Sequence, residues 1–232
     1  MVGSRDALIS ILPLTLHLMT APIHPGTRVT SCPVIREQPI SFGPDRQRLT
    51  LEYIQTHYDP SATSITIHPT MIVVHFTETD SLATAYADFA PAELPPSRAD
   101  IERGGRLNVS AHYLIDRDGT IYRLLPDSLM ARHVIGLNRA AIGIENVGST
   151  RHPLTPAQLR SNVALIHCLK AAHPAIRYVI GHSEYGTFRD TPLWEERDST
   201  YFTTKPDPGQ RFMTRLRRAL NDSTLRGAWR AQ

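Results

Sequence analysis

Met71-Ile72-Val73-Val74 is an unbroken apolar run, rich in β-branched residues, that stops at His75. Four such residues without a polar partner cannot lie on a half-wet sheet. They read as a strand covered on both faces, the kind found inside an α/β layer structure. That constrains the chain more than any other segment, because a sheet buried on both sides needs helices or long loops on each.

The rest of the sequence supplies them. Ala83 to Ala90 is read as a short helix and Pro91 to Gly105 as a loop. Two β-prone runs, His112 to Ile115 and Thr120 to Leu125, flank a turn ending Asp118-Gly119, which predicts a hairpin. Ile142 to Val147 and Tyr178 to Ile180 read as further strands. Thr155-Pro156-Ala157-Gln158 combines an N-cap, a proline in the first turn and a capping-box glutamine. It opens a helix whose apolar face is Leu159, Val163, Ile166 and Leu169. Phe212, Leu216 and Leu220 mark a closing helix. Strands alternating with helices, plus one hairpin, predict an α/β fold: one domain, a central mixed β-sheet flanked by helices.

A length of 232 residues suits one core, and 41% apolar with 20% charged residues excludes fibrous, disordered and multispan membrane chains. The net charge of +3 is too mild to argue for nucleic acid, and none is expected as a partner. No transmembrane segment is expected. Arg5, the uncharged run Ala7 to Leu18 and the small residues up to Ala21 have the parts of an export signal, so residues 1–21 are read as a signal peptide and the protein as periplasmic or secreted. Residues 22–48, rich in Pro, Gly, Ser and Arg, are read as a linker or surface arm. The domain is placed at 49–220, and 221–232 is read as a basic tail. Val29-Thr30-Ser31-Cys32 imitates a lipid-attachment box, but Arg28 and its distance from the apolar run argue against one. Cys32 is read as an ordinary thiol in an extended arm. With Cys168 it is too little for a disulfide framework or a Cys-rich zinc site, so metal chemistry is sought among the eleven histidines and the carboxylates.

His75 and His182 each follow a predicted strand, where α/β sheets collect ligands. Asp207 lies in Lys205-Pro206-Asp207-Pro208-Gly209. Two imidazoles and a carboxylate are a common catalytic zinc set with one open position, but no short spacing links these three. Lys205 and Asp207 both precede prolines, which favours extended backbone. In a β-like segment they face one point; the other reading is a surface turn. Glu145 stands in a strongly apolar strand, where a carboxylate needs a reason.

Six pieces together resemble a known family, the zinc-dependent N-acetylmuramoyl-L-alanine amidases related to peptidoglycan recognition proteins. They are Ile72 to Thr77, Ser110 to Gly119, Ala140 to Glu145, Leu154 to Leu159, Val179 to Glu184 and Lys205 to Gly209, in the family's order. The resemblance implies one Zn2+ per chain held by His75, His182 and Asp207. It implies Glu145 as catalytic carboxylate, Lys205 as second catalytic group, and peptidoglycan or a muropeptide as substrate. The alternatives are a non-catalytic binding module of the same fold and a zinc hydrolase of another peptide amide.

The sequence departs from the family in places. A catalytic tyrosine of the phage-type members is replaced by Ala111, which matches the subtype with a glutamate base. Arg132 stands where the family has tryptophan in Ala131-Arg132-His133. His112, His133 and Arg132 are candidate substrate contacts, with a packed or supporting role the other reading of His112. The stretch between His182 and Lys205 is long and carries Trp194, Tyr201 and Phe202; it reads either as a wall over the site or as a solvated loop.

Overall fold

The computed structural model describes residues 32–229. Its sheet is built around the run that opened the sequence: β2 (Met71–Val74) is fully buried and lies between two parallel neighbours. The order is β1-β4-β3-β5-β2-β6, with β1 Ile35–Glu37, β3 Tyr113–Ile115, β4 Ile121–Arg123, β5 Ala141–Asn146 and β6 Tyr178–Gly181. Only the β3–β4 hairpin is antiparallel. Gly119 closes its turn at φ +93, a conformation that suits glycine. The sheet is therefore mixed, as expected.

Side-chain alternation sorts the two faces. Ile72, Val74, Ile142, Ile144 and Val179 point to one side and meet Leu165, Ile166 and Leu169 of α3 (Pro156–Ala172) and Phe212, Met213 and Leu216 of α4 (Gln210–Leu220). Met71, Val73, Ala141 and Ile180 point to the other, under the 134–137 segment and the stretch after β6. The capping box at Thr155 and Gln158 is present, and Gln158 Nε2 also donates to Ile115 and Val147 carbonyls, tying α3 to β3 and β5. The expected short helix is α2 (Leu82–Phe89), capped by Ser81. The loop after it carries a 3-10 turn at Ala99–Gly104.

The segment read as an arm is corrected over residues 33–48. It supplies the edge strand β1, parallel to β4, and the first turn of α1 (Pro44–His57). Pro44 in the first helical turn and Asp45 beside it were the available sequence signals. Arg46 is 1% exposed, and its guanidinium donates to the carbonyls of Phe89, Ala90 and Pro91, so α1 braces the C-terminal end of α2. The reading of Cys32 as a plain thiol is also corrected: Cys32 and Cys168 form a disulfide that pins the start of the described chain to α3. The tail reaches back onto the sheet, where Arg226 pairs with Tyr178 in parallel. The expected signal peptide, 1–21, lies outside the described residues. No helix among the described residues is long and apolar enough to cross a membrane.

Candidate metal centre and active site

Alternation along the sheet also places the functional side chains. His75 continues the Met71–Val73 face of β2, Glu145 the Ala141–Gly143 face of β5, and His182 follows Ile180 at the end of β6. All three strands are parallel, so these residues meet at one edge, on the side of the sheet away from α3 and α4. Asp207 enters from the segment leading into α4.

His75 Nδ1, His182 Nδ1 and Asp207 Oδ2 converge. The two ring nitrogens are 3.0 Å apart, and Asp207 Oδ2 lies 3.2 Å from the first and 3.1 Å from the second. All three residues are buried. Three donor atoms aimed at one point suit a cation better than one another. Their spacing is close to the ~3.3 Å edge of a tetrahedron with ~2.0–2.1 Å ligand bonds, so the residues fit a zinc ion. Burial, with His182 adjacent, lowers the pKa of His75 to about 4, keeping the imidazole in the neutral form that a metal would need. Burial works to raise that of Asp207, but the two imidazoles outweigh it and hold the carboxylate ionised.

Glu145 faces this cluster across a cavity of about 500 Å³. It is 8% exposed, and its Oε2 has no hydrogen-bond partner. Burial first, then the Asp207 charge, pushes its pKa well above the ordinary carboxylate range, while Arg98 and Lys205 pull it back. Lys205 is half-buried and lines the same cavity. The chain thus brings together the five residues singled out for metal and catalysis.

The three candidate substrate contacts have other duties. His112 is fully buried; Nδ1 accepts from the Gly143 amide at 3.0 Å and Nε2 donates to the Leu129 carbonyl at 2.9 Å. Both ring nitrogens are spent on backbone, so the supporting role, not the substrate contact, is the one it fills. His133 lines the cavity, but its Nδ1 lies 3.0 Å from His75 Nε2 and its Nε2 3.4 Å from the Ala141 carbonyl. It orients the His75 ring, as outer partners of ligating histidines do. Its ring lies against Gly143, where an added Cβ would come within 2.8 Å, which explains that glycine in an otherwise bulky strand. Arg132 also borders the cavity. Its guanidinium donates to the carbonyls of Ile101, Gly105 and Leu107 and to the Tyr201 hydroxyl, and so braces the wall.

The stretch between His182 and Lys205 is a wall: Tyr201, Thr203 and Thr204 line the cavity. It is held by a buried His57–Glu196 pair at 2.9 Å and by Trp194, which lies over Gly136. Sequence reasoning missed Arg98, Tyr53 and Asn138 as lining residues. Arg98 sits in a segment read only as loop, and Tyr53 in a helix without a motif, so no local pattern marked them.

This is an α/β fold with a compact His-His-Asp cluster at its strand ends that could hold a metal ion, and with a desolvated carboxyl lining the same cavity. The chain belongs to the N-acetylmuramoyl-L-alanine amidase family, whose sequence model matches residues 65–210. Its fold is similar to that of N-acetylmuramoyl-L-alanine amidase LysC from Clostridium intestinale, with 22% identity, a TM-score of 0.53 and coverage of 82% of this chain and 98% of that one. Bumblebee PGRP-SA is similar at 19% identity and a TM-score of 0.50, covering 85% and 100% respectively. No curated protein sequence matches the chain.

Proposed function

We propose that the protein is a zinc-dependent peptidoglycan amidase that cleaves the amide between the lactyl group of N-acetylmuramic acid and L-alanine of the stem peptide. The observation that carries this reading is the meeting, in one cavity, of the His75–His182–Asp207 cluster with the Glu145 carboxyl, whose Oε2 has no hydrogen-bond partner.

His75, His182 and Asp207 would hold a zinc ion, which would supply Lewis acidity for the amide carbonyl and for the attacking water. Glu145 does the proton work. As a carboxylate it takes the proton of the attacking water, and as an acid it returns that proton to the leaving amine of L-alanine. Desolvation raises its proton affinity, which suits both halves of that cycle. Lys205 donates to the carbonyl oxygen as negative charge develops there. His133 keeps the His75 ring in place through Nε2, and the Tyr201 wall with Arg132 behind it limits water.

The disulfide between Cys32 and Cys168 supports an oxidising compartment, the periplasm or the cell exterior, where the substrate is found. A non-catalytic module would need neither a metal nor a desolvated base. Metal analysis of protein purified without chelator should find one zinc per chain, and incubation with purified muropeptides should release free stem peptide, an activity lost with chelator and restored by zinc. Protein without metal, or release that ignores the chelator, would overturn the reading.

A further inference from the structure

The reverse side of the sheet carries a charge distribution that the active site does not use. α3 and α4 cover the face away from the metal cluster, and neither helix contains an Asp or a Glu. They hold Arg160, Lys170, Arg211, Arg215, Arg217 and Arg218, although the whole chain sums only to +3. Two of these cations are matched locally: Lys170 by Asp222, and Arg217 by Glu184. Arg211, Arg215 and Arg218 are not. They follow one another at spacings of four and three, so they form one stripe along α4, and all three are exposed. None has an ion-pair partner among the described residues. Phe212, Met213, Leu216 and Leu220 anchor the opposite side of the helix in the core, which fixes the stripe outward.

A second observation points to the same side. Cys32 is bonded to Cys168 of α3, and Ile35 packs against the cluster under the same helices. Cys32, the first described residue, is therefore tied to the basic layer and not to the cavity mouth.

We propose that the α3–α4 layer is a docking surface for an anionic phospholipid bilayer, with Arg211, Arg215 and Arg218 on headgroup phosphates. Guanidinium groups are suited to phosphate oxygens by their planar, two-pronged geometry. A bilayer against this layer leaves the cavity facing away from the membrane, toward a substrate on the other side. The inference concerns residues that do not line the cavity and does not depend on the reaction assigned to it.

The test is co-sedimentation of the full chain with vesicles of equal parts phosphatidylglycerol and phosphatidylcholine, or of phosphatidylcholine alone. Each arginine at an anionic surface contributes about fivefold in partitioning, so the triple variant Arg211→Gln, Arg215→Gln, Arg218→Gln should bind the mixed vesicles about a hundredfold more weakly than the parent. The corresponding triple lysine variant should retain most of the binding, and concentrated salt should abolish it. Cleavage of soluble muropeptides should be the same in all three proteins, which separates failure of the docking surface from failure of the assigned activity. Equal binding to both vesicle types, an unchanged glutamine variant, or binding to isolated anionic wall polymer without binding to vesicles would each overturn the proposal.

Discussion

Glu145 shows how a single residue can be costly for folding and useful for chemistry. Its carboxyl is buried, and Oε2 has no partner. Burial raises its pKa above the ordinary 4.5, so the folded protein keeps the proton after the unfolded chain has released it. Stability contributed by the neutral form is present below 4.5 and is lost as pH rises through the folded pKa. In metal-free protein, Glu145→Gln should therefore raise Tm near neutral pH and leave it unchanged below 4.5. Thermal melts across that range check this, and a gain that does not vary with pH would contradict desolvation as the cause. The sequence exposed this residue well, because a lone acid in an apolar strand stands out. It could not show that His112 is consumed by the Gly143 amide and the Leu129 carbonyl, since backbone partners leave no trace in a side-chain pattern.

At the scale of elements, the site depends on β2, β5 and β6 ending together and on what leans against them. β5 carries Glu145 and, two residues earlier, the glycine on which the His133 ring rests. Gly143→Ala should displace that ring and release its hold on His75 Nε2, weakening metal binding about 10–100-fold with Glu145 still in place. His133→Ala should do the same by removing the partner outright. Competition with a chromogenic chelator measures both, and unaltered affinity in the two variants would show that the His75–His133 contact does not support the metal. The hairpin, the capped α3 and the strand ends were legible because each has a local signal, a turn glycine or a capping box. β1 was not. Its three residues, Ile-Arg-Glu, have no apolar alternation, and they form a strand only because β4 offers a free edge beside them.

For the molecule as a whole, the contacts least visible in the sequence are those that join distant parts of the chain. Cys32 and Cys168 are 136 residues apart, and nothing local to either announces the pair. The same holds for His57 and Glu196, which fasten the cavity wall to α1. The disulfide closes most of the sheet within one loop, and its loss relaxes mainly the unfolded chain. Cys168→Ser should cost about 2–4 kcal/mol in denaturant unfolding while leaving metal affinity and turnover near those of the parent. A variant as stable as the parent would mean that the pair is not bonded in solution, and would remove one support for an oxidising compartment.

The central claim is that the carboxyl of Glu145 performs the proton transfer at a metal held by His75, His182 and Asp207. The most direct measurement is the mass spectrum of muropeptide products from the parent and from Glu145→Gln, at equal protein concentration and equal zinc occupancy. The account predicts free stem peptide from the parent, and from the variant a rate lower by ~10²–10⁴-fold with zinc still bound. Near-normal release by a fully loaded variant would contradict it and place the base on another residue.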